Sequence, residues 1–317
     1  MFHNYSRLVL RIITEQELNE AEYDVLQNTF NEVLRSASKN RVEFLFLDSM
    51  KKKYPEVYAA SRVHQFYKEG ERKIAERNES ISRMQHELNG LSYCMFKTLY
   101  PIPTITSDID LLFFVKRHFH EFIKKMKEAG FLYIEDDALK GSLIKTGRMK
   151  CEPHLAISWH GMRFLSQDFI KSNLTQKKVG GSTVIIPNDQ ATFVISTAHI
   201  IFDCQYLSLR DYLILRKSVK NNNIVQACFS QADKFGWRPA AEYCIQILSS
   251  GKELSFPFWI PMTKAYAFFK HKIIFDLKEK GENHVSMEST ALPFIFYYWK
   301  RIKSRYSKRM YRNSWLY

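Results

Sequence analysis

Asp108 and Asp110, in the stretch Ser107-Asp108-Ile109-Asp110-Leu111-Leu112, are the side chains of this 317-residue sequence best placed to do chemistry. In an extended segment residues i and i+2 point to the same face, so the two carboxylates lie side by side on an otherwise apolar run. Like charges at that separation repel each other, and a cation relieves the repulsion. Hard oxygen donors at this spacing suit Mg²⁺ or Mn²⁺, ions that also hold substrate phosphates. The rival reading of a bare Asp-x-Asp is a strand end turned to water.

The elements around the pair give it a frame. Residues 91–97 read as a strand, 100–107 as a Pro/Thr-rich turn, 109–115 as a buried strand and 117–129 as a helix stopped by Gly130. Short strands are expected near 131–134, 142–144, 150–158 and 178–186, the last with a Gly180-Gly181 hairpin turn. Asn188 can cap the helix that follows. The expected fold is an α+β core with a mixed sheet, flanked by N-terminal and C-terminal helical regions: 1–90 helical, 91–187 the core, 188–317 helical with a basic tail. In the first region Thr14-Glu15-Gln16-Glu17 has the form of a capping box.

Lys97-Thr98 at the end of one strand, Asp-x-Asp opening the next, and Cys151-Glu152-Pro153-His154-Leu155 on a later strand together resemble the DNA polymerase β-like nucleotidyltransferase superfamily. There a strand and a Gly-Ser or Gly-Gly turn are followed after about ten residues by Asp-x-Asp. The chain is most similar to an uncharacterised prokaryotic branch in which the later strand reads Asp-Leu-His; Glu152 and His154 match its Asp and His. The resemblance covers about residues 88–217. It implies transfer of NMP from an NTP to a hydroxyl acceptor. Asp108 and Asp110 would hold metal ions, and Glu152 would complete a metal site or take the proton of the attacking hydroxyl. Ser107, Thr98 and Lys97 would orient the triphosphate. Two positions depart from the pattern: Lys97-Thr98 stands for Gly-Ser, and Glu152 is one methylene longer than Asp.

Other polar residues invite weaker readings. His118 and His120 diverge on a helix and make no metal pair. His199 reads as a hydrogen-bonded core histidine, and Arg210-Asp211 either meets nucleotide or pairs internally.

Charge points to the partner. Forty-seven basic and 33 acidic residues give +14, concentrated toward the C-terminus: residues 1–90 are neutral and seven basic residues fall after position 299. On a helix Arg301, Arg305, Arg309 and Arg312 form one stripe with Tyr306 and Tyr311 interleaved, which suits an RNA or tRNA backbone with stacked bases. A membrane surface is the less favoured partner, and a small cationic acceptor lacks an acidic pocket to enter. Five cysteines without a CxxC spacing argue against a disulfide framework, and a cytoplasmic protein is expected. The alternative from another class is a non-catalytic relative that keeps the fold as an RNA- or protein-binding module.

Overall fold

Helical periodicity in the N-terminal region resolves into six helices: α1 (Tyr5–Ile13), α2 (Glu20–Asn28), α3 (Phe30–Lys39), α4 (Glu43–Lys53), α5 (Pro55–Ala60) and α6 (His64–Leu88). The computed structural model describes residues 5–279 except 62, 138, 160–161 and 251–254. Thr14 does not open a helix. It follows the end of α1, where its hydroxyl donates to the Leu10 carbonyl at 2.8 Å, and Glu15 turns the chain in the left-handed region with φ 63°. The capping box lies five residues on: Asn19 accepts from the Glu22 amide, and the Glu22 carboxylate accepts from the Asn19 amide. Arg11 of α1 binds the same Glu22, which explains why Asn19 outcompetes Thr14 as the cap.

The core sheet has the order β1-β2-β5-β4-β3, built from β1 (Tyr93–Phe96), β2 (Asp108–Phe113), β3 (Leu132–Asp137), β4 (Lys140–Ile144) and β5 (Lys150–His154). Only the β2–β5 pair is parallel; the other neighbours are antiparallel. Helix α7 (Lys116–Glu128) follows β2 and packs on the sheet. Period-two alternation divides β2 cleanly. Ile109, Leu111 and Phe113 join Met95, Cys151 and the α7 residues Phe119, Phe122 and Met126 in one buried cluster. The opposite face carries Asp108, Asp110 and Leu112. There Leu112, Cys94 and Phe96 join a second, larger cluster that runs from Val9 and Ile12 of α1 to Phe269 near the C-terminal end of the described chain. The helices before and after the sheet therefore share one core.

Beyond β5 come the short strands β6 (Ser158–Trp159) and β7 (Met162–Arg163), helix α8 (Gln167–Lys171) and the hairpin β8 (Leu174–Val179) with β9 (Ser182–Pro187). The hairpin is a separate ladder that packs against β1. Gly180 and Gly181 both have positive φ, 54° and 84°, as its two-residue turn requires. Asn188 caps α9 (Asp189–His199) by accepting from the Ala191 amide, and α9 runs on into a π-helical turn, Ile200–Cys204. Then follow β10 (Tyr206–Leu207), α10 (Leu209–Leu215), α11 (Asn222–Lys234), α12 (Arg238–Ser249), β11 (Phe258–Trp259) and α13 (Met262–Glu279). Asn40, fully buried, ties the two helical regions together. Its side chain accepts from the Leu209 amide and donates to the Phe256 carbonyl, both at 3.2 Å. None of the described helices is long and apolar enough to cross a membrane. The basic stripe of Arg301, Arg305, Arg309 and Arg312 lies outside the described residues.

Candidate metal centre

Parallel pairing of β2 with β5 sets Asp108 opposite Lys150, Asp110 opposite Glu152 and Leu112 opposite His154. All six lie on one face of the sheet, so three acids, a lysine and an imidazole meet where the apolar core ends. His154 Nε2 stands 3.2 Å from Asp110 Oδ1 and 4.0 Å from Glu152 Oε2. One donor atom from each of Asp110, Glu152 and His154 lies within 4.8 Å of the others. Bonds of about 2.1 Å to a shared cation give donor–donor edges of roughly 3 to 4 Å, so a divalent ion fits after small side-chain movements. The protein thus has a buried acidic–imidazole cluster able to hold a metal ion. Its members are Asp110 and Glu152 of the expected set plus His154; Asp108, one row nearer the strand end, falls outside that tight group.

Two lysines already balance the acids. Lys97 Nζ is 3.8 Å from Asp110 Oδ1, and Lys150 binds Glu152. Burial disfavours the Lys97 ammonium, but Asp110 and then Asp203 outweigh it and raise its pKa. Burial likewise pushes Asp110 up, yet Lys97 and the His154 hydrogen bond hold its carboxyl below the usual range. Asp108 goes the other way: burial, then Asp110 and Glu152, raise it. A carboxyl raised on folding adds stability at low pH and loses it as pH rises through the folded value, so ionised Asp108 works against the fold at neutral pH. Asp108→Asn is therefore expected to raise the melting temperature of the metal-free protein at pH 7, whereas Asp110→Asn lowers it. Thermal melts in chelator check the opposite signs.

The turn after β1 is where the chain departs from a Gly-Ser pattern, and its backbone is informative. Lys97 sits at φ 55°, the left-handed region that glycine enters freely and other residues enter at a cost of about 1 kcal/mol. The position keeps a glycine-like backbone while carrying an ammonium toward Asp110. Thr98, fully buried, spends its hydroxyl on the fold: Oγ1 accepts from the Asp110 amide at 2.9 Å and donates to the Phe96 carbonyl at 3.3 Å. Ser107 is exposed at the mouth of the strand pair. Thr98→Val keeps the shape but strands a buried N–H, so it should cost about 1–3 kcal/mol in denaturant unfolding; an unchanged midpoint would mean that the amide finds another acceptor.

The remaining histidines separate into structural and chemical cases. His118 Nδ1 accepts from the Ser92 amide at 2.8 Å, and His120 is exposed. His199 Nε2 contacts Asp203 Oδ2 at 2.8 Å, with Cys204 Sγ 3.5 Å from Nδ1. Burial works against its protonation, but Cys204 and Asp203 hold its pKa up at about 9. Sequence reasoning left His199 in the core and missed the Asp203–Cys204 pairing, because a π-helical turn has no apolar signature of its own. Arg210 and Asp211 pair with each other at 3.0 Å, and the guanidinium lies 5.0 Å over the Tyr100 ring. Lys150 was also missed, although its i, i+2 relation to Glu152 on one strand would have shown it.

No family model matches the chain, and neither a curated protein nor a solved structure matches it.

Proposed function

We propose that the chain is a metal-dependent nucleotidyltransferase that moves NMP from an NTP to a hydroxyl of an RNA or tRNA. The observation that supports this best is the β2–β5 register, which sets Glu152 against Asp110 with His154 bonded to the same carboxylate. The Lys97 turn beside it adds support. It takes a left-handed backbone at the position where the resembling superfamily has glycine.

Asp110, Glu152 and His154 would hold the ion, with Asp108 at the strand end available for a second. Such an ion, when bound, would supply charge to offset the phosphates and the departing pyrophosphate. Two carboxylates with one imidazole suit Mn²⁺ better than Mg²⁺, because Mg²⁺ takes oxygen donors and gives up its waters reluctantly. Lys97, on a flexible stem, turns from Asp110 to a phosphate oxygen once the carboxylate has another counter-charge. Glu152 would either complete that metal site or, released from Lys150, accept the proton of the attacking hydroxyl. Ser107, exposed at the strand end beside Asp108, would meet the triphosphate.

A second reading has its own observation. Lys97 and Lys150 already neutralise Asp110 and Glu152, and Thr98 spends its hydroxyl on the backbone, as suits a non-catalytic RNA- or protein-binding module. The experiment that separates the two is incubation with each α-labelled NTP, Mn²⁺ or Mg²⁺, and total RNA, DNA and protein. Label in the RNA fraction, abolished by Glu152→Gln, is the expected result; label in no fraction would overturn catalysis in favour of the module.

The RNA partner rests on the C-terminal charge. Removing residues 300–317 takes away seven basic residues. Each phosphate contact on a single strand contributes about 0.7 to the log–log salt slope, so the slope should fall by about 5 if all seven touch phosphate. Mn²⁺-dependent NTP binding should not change. An RNA affinity and salt slope identical to the full chain would remove the tail from the interface.

A further inference from the structure

We infer that His199, Asp203 and Cys204 form a second metal site, one for a borderline-soft divalent ion of the Zn²⁺ type. The inference does not rest on the nucleotidyltransferase reading.

The local backbone creates the site. Helix α9 ends at His199 and passes into the five-residue π turn Ile200–Cys204. In an ordinary α-helix residues i and i+4 share a face while i+5 rotates away. The wider turn brings i+5 back, so Asp203 and Cys204 both meet the His199 ring. Single π turns of this kind recur at functional sites. The next residue, Gln205, sits in the left-handed region at φ 55°, which ends the helix at once and fixes Cys204 in place.

Three donor types then converge: an imidazole, a carboxylate and a thiol, with one atom from each within 4.8 Å of the others. Cys204 Sγ lies 3.5 Å from Nδ1 and 3.8 Å from Nε2 of His199. Tetrahedral zinc, with Zn–S of about 2.3 Å and Zn–N of about 2.05 Å, has a sulfur–nitrogen edge of about 3.6 Å. The Sγ–Nε2 distance of 3.8 Å, to the nitrogen that also faces Asp203, is within about 0.2 Å of that edge. The His199 Nε2 to Asp203 Oδ2 contact of 2.8 Å would open to about 3.4 Å, a movement of roughly half an ångström on one side chain.

Charge and access also suit the ion. Zn²⁺ with a thiolate, a carboxylate and a neutral imidazole is electrically neutral as a unit, which a buried position requires. Cys204 and the His199 ring are largely covered, while the Asp203 side chain is 39% exposed, so solvent reaches the cluster past the carboxylate. Three protein donors leave a fourth position for water or for an anion, the pattern of an open rather than a purely structural zinc site. The sulfur sets this site apart from the Asp110–Glu152–His154 cluster, whose donors are oxygen and nitrogen alone.

That difference makes it testable. The full chain, stripped with chelator, is titrated with Co²⁺ and then with Zn²⁺. One equivalent of Co²⁺ should produce thiolate-to-cobalt charge-transfer absorption, and Zn²⁺ should bleach it. The band should persist in Glu152→Gln, which alters only the other cluster, and vanish in Cys204→Ala. Asp203→Asn, at a half-exposed position that leaves the core untouched, should weaken the affinity by more than about tenfold and guards against a Cys204 variant that fails to fold. Absence of the charge-transfer band in the wild type, or its survival in Cys204→Ala, would overturn the site. So would a thiol that alkylates at the same rate with and without stoichiometric Zn²⁺.

Discussion

Asp110→Asn is expected to lower Mn²⁺ affinity by at least about 100-fold and to abolish Mn²⁺-dependent NTP retention. Changing an outer-shell partner of a ligand already costs 10- to 100-fold, and Asp110 is itself a donor in the proposed site. It is also the hub: His154 bonds it, Lys97 faces it and Glu152 stands opposite it. Its amide is tied to Thr98 through the backbone, so the substitution leaves the strand pairing intact and removes only the charge. Isothermal titration with Mn²⁺ reads the loss. An affinity equal to wild type would move the ion, if one binds, to other residues.

Asp211→Asn should be among the most destabilising single changes in the described chain, at about 3–5 kcal/mol. Asp211 is 5% exposed and Arg210 7%. The carboxylate accepts from Arg210 Nη2 and Nε, from the Ser208 hydroxyl, and from the Ser208 amide, the last closing the capping box that starts α10. An amide cannot balance the guanidinium, which would be left buried over Tyr100 without its counter-charge. Burial pushes the Asp211 carboxyl up, but Arg210, Arg41 and the Ser208 bond outweigh it and hold the pKa below its usual value. A carboxyl lowered on folding gives stability above its unfolded pKa and loses it as pH falls through the folded value. The wild type should therefore lose this contribution below about pH 4, and the variant should lack that part of the acid limb. Urea unfolding across pH 3–7 checks both the size and the slope.

Much of this was legible in the sequence for physical reasons. Asp108 and Asp110 stood out because a carboxylate on a buried strand is expensive unless something answers it. The alternation Ile109, Leu111, Phe113 fixed which way they face. Glu152 and His154 were readable only through the resemblance, as the positions matching the Asp and His of its later strand. What the sequence could not carry were distances across the fold. That Glu152 and His154 meet Asp110 depends on a parallel register between strands some forty residues apart, and that Lys97 faces it depends on the antiparallel pairing of β1 with β2. That Asn40 joins α10 and the segment at Phe256 depends on helices packing across the whole chain. Thr14 misled because a capping box is a local pattern, and Arg11, bound to Glu22, favoured the competing Asn19 box. His199 was read as a core residue because nothing in its flanking sequence announces a π turn.

The most direct test is equilibrium dialysis of an α-labelled NTP against the chelator-stripped full chain, with and without Mn²⁺, for wild type and Asp110→Asn. The wild type is expected to retain NTP only when Mn²⁺ is present, and the variant to retain none. Retention that is independent of Mn²⁺, equal in the two proteins, or absent from both would contradict the proposed metal-dependent site.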